Sequence, residues 1–384
     1  MQDNNRKPTV MSFTHYGQLY GANRSLLTLI ITLKDQINWW IICKEKSEFT
    51  DELIKHGIRF TVIPFTNDVY KIEKKFQLLH SIKRFCYNIP WAIYLAFLAL
   101  KGKVNVIHSN SSVIFIGAMV SLISGKKHLW HIREFVFEDY GLKYLLGNKS
   151  FQFWANKAHK IICISNSIRE RRVVQQNIRS DTIILYNGIV QEDQVSPPRS
   201  KPAGRIVIGI VGIIDPAKEQ LTAIKAIHEL KKANVPAELH VIGNVSSEVY
   251  FENLQQYVTN ENISDVVKFK GFTKDIAEIY KHLDISLMCA KNEALGRVTI
   301  ESMMYGVPVV AFASSGTIEI VQAEKTGLLY SRDEKELASQ IRRLAEDETL
   351  YNSLSIAGIE HVSKYFTVKS YTQTFLKEIL AASN

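Results

Sequence analysis

Short apolar runs alternate with amphipathic stretches along nearly the whole chain, and the alternation stops and restarts once. Apolar runs at 9–13, 39–43, 60–64, 104–108, 127–132, 160–164 and 182–185 read as strands. Helical periodicity separates several of them, beginning with 23–33, where Asn23 is placed to cap the helix. After Asn187-Gly188 comes a Pro- and charge-rich stretch, 191–204, with no apolar period, which reads as an interdomain linker. Strands then recur at 205–212, 237–243, 266–269, 285–289, 307–312 and 327–330, with helical stretches between them. The chain closes on helical segments 334–346, 350–365 and 368–382. Strand–helix alternation of this kind implies α/β architecture, with parallel sheets covered on both faces. The expected layout is a first doubly wound domain over 1–190, the linker, and a second over 205–365. A C-terminal helix over 366–384 is expected to pack back towards the first domain. Ligands of such sheets bind beyond the carboxyl ends of the strands.

The 384 residues suit two domains, and 46% hydrophobic content can fill two cores. The longest apolar candidate, 89–100, falls short of the roughly 20 residues that span a bilayer. The polar first seven residues lead straight into a strand, so no secretory signal is expected, and the reading is cytoplasmic. Cys43, Cys86, Cys163 and Cys289 have neither metal-ligand nor disulfide spacing. The net charge of +9 is uneven. Residues 1–190 hold 26 Lys and Arg against 13 Asp and Glu, whereas 191–384 hold 21 against 25. The basic first half suggests a polyanionic partner, and an anionic membrane surface and nucleic acid are the candidates. No nucleic-acid-binding module is recognisable, so nucleic acid is not expected.

One segment carries most of the chemistry: Lys291-Asn-Glu-Ala-Leu-Gly-Arg-Val-Thr-Ile-Glu301. Gly296 stands where a loop should turn into a helix, whose free N–H groups and positive dipole end suit a phosphate. Glu293 and Glu301, one on each side, can accept hydrogen bonds from hydroxyls. Diphosphate flanked by hydroxyl-rich groups describes a nucleotide-sugar.

This Glu-x7-Glu spacing, followed by Gly306-Val-Pro-Val-Val310 and Ser315-Gly-Thr-Ile-Glu-Ile-Val321, resembles the donor-binding core of glycosyltransferase family 4. The resemblance implies a retaining enzyme of GT-B fold, two Rossmann-like domains facing across a cleft. It implies that Glu301 binds the ribose hydroxyls and that Glu293 lies near the transferred sugar. Backbone N–H groups around Leu295, Gly296, Arg297 and Val298 would hold the diphosphate, and Gly271-Phe272 would lie against the base. Lys218, after the first strand of the second domain, would stabilise charge on the leaving diphosphate. The family often carries Gly-Arg ahead of this lysine. Here the pair is Gly212-Ile213, and Arg297 is a candidate replacement. In the first domain, Gly17 and Gly21 resemble the glycine loop facing the phosphates and the acceptor. His131 corresponds to the histidine at the cleft, where it contacts the transferred sugar or the acceptor side, and Arg133 beside it and His108, at the end of a neighbouring strand, are further candidates for the acceptor side.

The implied reaction moves a sugar from a nucleoside diphosphate sugar, a UDP-sugar on this reading, to a saccharide or polyprenyl-linked acceptor in bacterial surface polysaccharide synthesis. No cofactor and no metal are implied, and the chain contains no Asp-x-Asp. Within 71–101, Ile72, Phe76, Leu79, Ile82 and Phe85 fall at helical spacing beside Lys71, Lys74, Lys75, Lys83 and Arg84. This stretch reads either as an interfacial helix on an anionic membrane or as a helix packed on the first sheet. A non-hydrolysing nucleotide-sugar epimerase and a non-catalytic partner subunit remain as alternatives.

Overall fold

A computed structural model of the chain describes residues 7–72 and 78–383. Its residues form two compact units, Met1–Gly188 with Val368–Asn384, and Ile189–Thr367.

The first unit contains β1 (Thr9–Phe13), β2 (Asn38–Cys43), β3 (Arg59–Val62), β4 (Val69–Lys71), β5 (Val106–Ser109), β6 (Lys127–Ile132), β7 (Leu142–Tyr144), β8 (Lys160–Cys163) and β9 (Asp181–Ile184). Seven of these form one sheet in the order β3-β2-β1-β5-β6-β8-β9, and every pairing in it is parallel. The remaining two, β4 and β7, form a small antiparallel ribbon that periodicity did not foretell. The order reverses between β1 and β5, so the loops after these two strands diverge and leave a crevice at their carboxyl ends.

The helix Val368–Ser383 belongs to this unit. Its buried stripe of Tyr371, Phe375 and Ile379 covers the sheet, with Phe375 stacked on Trp39 at 6.1 Å between ring centroids. Burying a side chain of this size contributes roughly 1.5–3 kcal/mol.

The second unit contains β10 (Ile206–Val211), β11 (Ala237–Ile242), β12 (Val267–Gly271), β13 (Ile285–Met288), β14 (Val309–Phe312) and β15 (Leu328–Tyr330). They form a parallel sheet in the order β12-β11-β10-β13-β14-β15, which reverses between β10 and β13.

Two local expectations need correction. Asn23 does not cap a helix that starts after it. The helix is Gly21–Leu33, and the Asn23 side chain is buried in its first turn. There it donates to the Tyr16 and Gln18 carbonyls and accepts from Thr14 Oγ1, so it braces the loop after β1.

Residues 191–204 are not a free linker. The Arg199 guanidinium donates to the carbonyls of Tyr280, Leu283 and Tyr305 at 2.7–3.0 Å, while Arg199 N donates to Ser355 Oγ. Ser196 N donates to Met304 O and Lys201 N to Asn352 Oδ1, which straps the segment to the second unit.

Candidate functional site

The chemistry of the second unit gathers at its switch point, beyond the carboxyl ends of β10 and β13. After β10 the chain makes a single 3-10 turn, Pro216–Lys218, capped by Asp215, whose side chain accepts from Ala217 N. Lys218 therefore ends a tight turn instead of opening the long helix. Glu219, in the left-handed conformation at φ 56°, separates the turn from the helix Gln220–Lys232. After β13 the loop 289–296 carries Glu293. The two loops meet, with Lys218 Nζ 2.6 Å from Glu293 Oε2. A second pair, absent from the sequence expectations, joins the same loops: Lys291 Nζ lies 2.9 Å from Glu219 Oε1.

Gly296 ends the second loop at φ 94°, a conformation that disfavours any L side chain, and the helix Arg297–Met304 starts at the next residue. No side chain caps this helix and no acid occupies its first turn. The N–H groups of Arg297 and Val298 therefore have no intrahelical acceptor, and the positive end of the dipole is uncompensated. The loop is held from behind by Gly316, whose N–H donates to Glu293 O at 2.9 Å. A Cβ on Gly316 would lie 2.3 Å from Ala294 O, so only glycine allows this approach. Buried polar atoms without a hydrogen-bond partner accompany these two segments: Arg297 Nη1, Thr299 Oγ1, Ser315 Oγ and Thr317 Oγ1. A polar ligand would supply such partners.

Glu301 is buried, 4% exposed, one turn into the helix. Arg297 Nε donates to its Oε1 at 2.7 Å. The Arg297 guanidinium is thus engaged with Glu301, which sets the direction of the arginine expected to replace the one missing at Ile213. Leu295 is buried, and Val298 accepts from Tyr280 Oη through its carbonyl. Phe272 is 55% exposed after Gly271, at the end of β12. The structure brings Lys218, Glu293, Gly296, Arg297 and Glu301 together through direct contacts and short chain separations, while Gly271 and Phe272 stand at the carboxyl end of their own strand.

In the first unit the expected acceptor residues divide. Gly21 is the exposed first residue of the helix Gly21–Leu33, which has neither side-chain cap nor first-turn acid. Gly17 is buried, and a Cβ there would lie 2.5 Å from Ser47 Cβ, so its role is to let the two loops touch. Arg133 is 6% exposed and donates to Asn110 Oδ1, Asn187 Oδ1, His131 Nδ1 and Tyr371 Oη.

The expectation that His131 and His108 reach a ligand is corrected. Both rings are 0% exposed, 5.9 Å apart between centroids, and enclosed with Phe375 and Tyr371 of the C-terminal helix. Burial first, then the charge of Arg133, holds both imidazoles neutral, well below the ordinary histidine range. His131 thus serves as an acceptor that fixes Arg133, and His108 Nδ1 pairs with Ser12 Oγ at 2.8 Å.

Of the stretch 71–101, Lys74, Lys75 and Phe76 lie outside the described residues. The helix Leu78–Lys101 does not bury the expected stripe. Leu79, Ile82, Ile93, Tyr94, Phe97 and Leu100 are all exposed. No helix among the described residues is long and apolar enough to cross a membrane.

Residues 191–361 match the family described as glycosyl transferases group 1, and residues 21–193 match glycosyltransferase family 4. An uncharacterised glycosyltransferase of Methanocaldococcus jannaschii is 24% identical over 372 residues, 93% of each chain. A capsular polysaccharide biosynthesis glycosyltransferase, CapM of Staphylococcus aureus, is 25% identical over 242 residues, 58% of this chain and 63% of the relative. The crystal structure of HepE from Anabaena in complex with UDP superposes with a TM-score of 0.81 at 21% identity, covering 97% of this chain and 100% of that one. Sucrose-phosphate synthase from Thermosynechococcus elongatus gives 0.74 at 18% identity, covering 98% and 100%. The fold is GT-B, with two Rossmann-like units in one chain.

Proposed function

Because the chain belongs to the glycosyltransferases of group 1 and family 4, we propose that it transfers a sugar, with retention, from a UDP-sugar to a saccharide or lipid-linked saccharide. The observation that carries this reading is the Lys218–Glu293 pair beside the uncapped amino end of the helix Arg297–Met304. A nucleoside diphosphate sugar presents two phosphates between two sets of hydroxyls, and the site offers a complement to each. The N–H groups of Arg297 and Val298, beside Gly296 and Leu295, receive the diphosphate. The Lys218 ammonium stabilises charge on the leaving phosphate. Glu293 accepts from the transferred sugar's hydroxyls and Glu301 from the ribose, while Gly271 and Phe272 lie against the base. Gly21 opens the uncapped helix Gly21–Leu33 of the first unit. The presence of UDP in the HepE crystals supports a uridine donor. The reading requires no metal, since the cation of the site is lysine.

The acceptor side of this reading is a membrane. The helix Leu78–Lys101 contains no Asp or Glu, and its solvent side is apolar with Lys83 and Lys101 among its residues. Leu122 and Ile123 of the helix Ile116–Ser124, which packs against it, are also exposed, and Lys126 and Lys127 follow. Apolar side chains among lysines suit an anionic lipid surface on the cytoplasmic side, where a polyprenyl-linked saccharide would be extended. Assembly of a bacterial surface polysaccharide is the role that fits, and CapM is a relative named for that work.

The test is a thermal-shift panel of UDP, GDP and ADP with their sugar conjugates, with and without EDTA, followed by transfer to polyprenyl-linked saccharides. The expected result is a shift with uridine nucleotides only, unaffected by EDTA, and an axial or equatorial anomeric configuration carried over from donor to product. No shift with any nucleotide would sink the donor reading. Vesicle co-sedimentation addresses the membrane separately: phosphatidylglycerol vesicles should bind the protein, and the double substitution Ile93→Ser and Phe97→Ser should release it.

A further inference from the structure

A cavity of about 540 Å3 opens within the first unit and has no part in the donor site. Tyr144 of β7, Lys143, Glu138, Arg171, Arg172 and Gln175 are among its walls. Arg172 is the unusual group. It is 6% exposed, its guanidinium lies 4.4 Å over the Phe151 ring and 5.4 Å from that of Tyr144, and its Nη2 donates to Tyr144 Oη at 2.5 Å. No carboxylate among the described residues pairs with it, and its buried Nε has no hydrogen-bond partner. A buried guanidinium without a counter-ion is costly, so the arrangement is incomplete without an anion.

Two backbone irregularities shape the same walls. Arg171 and Arg172 project from a π-helical turn, Glu170–Val174, a distortion that re-aims side chains and recurs at functional sites. Val136, also in the wall, sits at φ 78°, ψ −58°, a γ-turn conformation that strains a β-branched residue. Among the residues of the wall, Lys143, Arg171 and Arg172 stand beside one carboxylate, Glu138.

We propose that this cavity receives the acceptor, and that the acceptor carries an anionic group, a carboxylate or a phosphate, held by Arg172. The proposal rests on the glycosyl-transfer reading and gives it a substrate class. The planar fork of Arg172 suits either oxyanion, while Phe137 and Gln175 offer an exposed ring and an amide to the sugar.

Isothermal titration of the full chain, with UDP present at saturation to fill the donor site, decides it. The probes are glucose 1-phosphate, glucuronate, inorganic phosphate and glucose. At least one charged sugar should bind roughly 30-fold or more tightly than glucose. Which charged sugar binds better tells phosphate from carboxylate. Arg172→Gln should abolish the preference and leave UDP affinity unchanged. Equal binding of glucose and both charged sugars overturns the proposal, as does a preference that survives Arg172→Gln. Inorganic phosphate binding as tightly as the sugar phosphate overturns it too, because the cavity would then hold a bare anion. If Arg172→Gln fails to fold, the exposed Lys143→Glu reverses a charge on the same wall and should weaken the charged sugar about tenfold, with no change overturning the proposal. Failure of UDP itself to bind refutes the donor reading alone, since the charged-sugar comparison still stands.

Discussion

Lys218 Nζ and Glu293 Oε2 lie 2.6 Å apart although their residues are 75 positions apart in the chain. The pair joins the loops that leave β10 and β13, the two strands flanking the sheet's switch point. The Lys218 side chain is 35% exposed, so the pair contributes little to stability, on the order of 0–1 kcal/mol. Its position is what matters, because it holds an ammonium and a carboxylate beside an uncapped helix end.

Lys218→Ala should therefore separate stability from turnover. Thermal unfolding should change by less than about 1 kcal/mol. Turnover should fall by roughly 10²–10³-fold, as when a group stabilising transition-state charge is lost. Steady-state kinetics beside a melting curve would show it, and near-normal turnover would remove Lys218 from the chemistry.

Gly296→Ala tests the turn itself. The φ of 94° disfavours an L side chain by roughly 1–2 kcal/mol. The chain can relieve that strain only by moving the first turn of the helix Arg297–Met304. We expect a lower melting temperature together with weakened UDP binding by calorimetry. Full UDP affinity in a folded variant would show that the N–H groups of this turn do not hold the diphosphate.

Glu301→Gln keeps the shape and removes the charge. Arg297 then loses its ionic partner, which costs on the order of 1–3 kcal/mol of stability. The sharper measurement compares UDP with its 2′,3′-dideoxy analogue. The wild-type protein should prefer UDP by about tenfold, and the variant should bind both alike. A preference of the same size in the variant would place the ribose elsewhere.

Acid stability gives a prediction for the first unit. Burial lowers His15 and His128 to about 3, and His108 and His131 also lie well below the ordinary 6.5. In the window below pH 6.5, the unfolded chain binds protons that these native rings refuse, so stability falls as pH falls. Asp68 opposes the trend. Burial raises it to about 7, so between about pH 4 and 7 the native state holds a proton that the unfolded state releases. Four histidines outweigh Asp68 and Glu134, whose carboxyl burial also raises, so a net uptake of protons is expected on unfolding near pH 5, at about 1.4 kcal/mol per pH unit for each proton. Denaturant titrations across pH 4.5–6.5 should give that slope, and His128→Gln should lower it by about one proton.

The alternation of strands and helices was legible because each element's periodicity is local, and the nine residues from Glu293 to Glu301 lie within one loop and one helix. Long-range relations were not legible. Nothing in 191–204 announces that Arg199 reaches three carbonyls that sit 81–106 positions away. His131 looked accessible at the end of a strand because the residue that helps enclose it, Tyr371, arrives 240 positions later. Arg172 gave no sign either, since its lack of a counter-ion is a fact about neighbours and not about spacing. Val136 carries no sequence mark of a positive φ, which glycine or asparagine would have advertised.

The placement of Val368–Ser383 on the first sheet also sets an order of assembly. During synthesis, the second unit is complete in sequence as soon as Thr367 has been added. The first unit, made earlier, must wait with Trp39 and its neighbours lacking the surface of Phe375 and Ile379. The half synthesised first is thus the half finished last, and ribosome-bound chains should offer chaperones one persistent apolar face until the terminal helix docks.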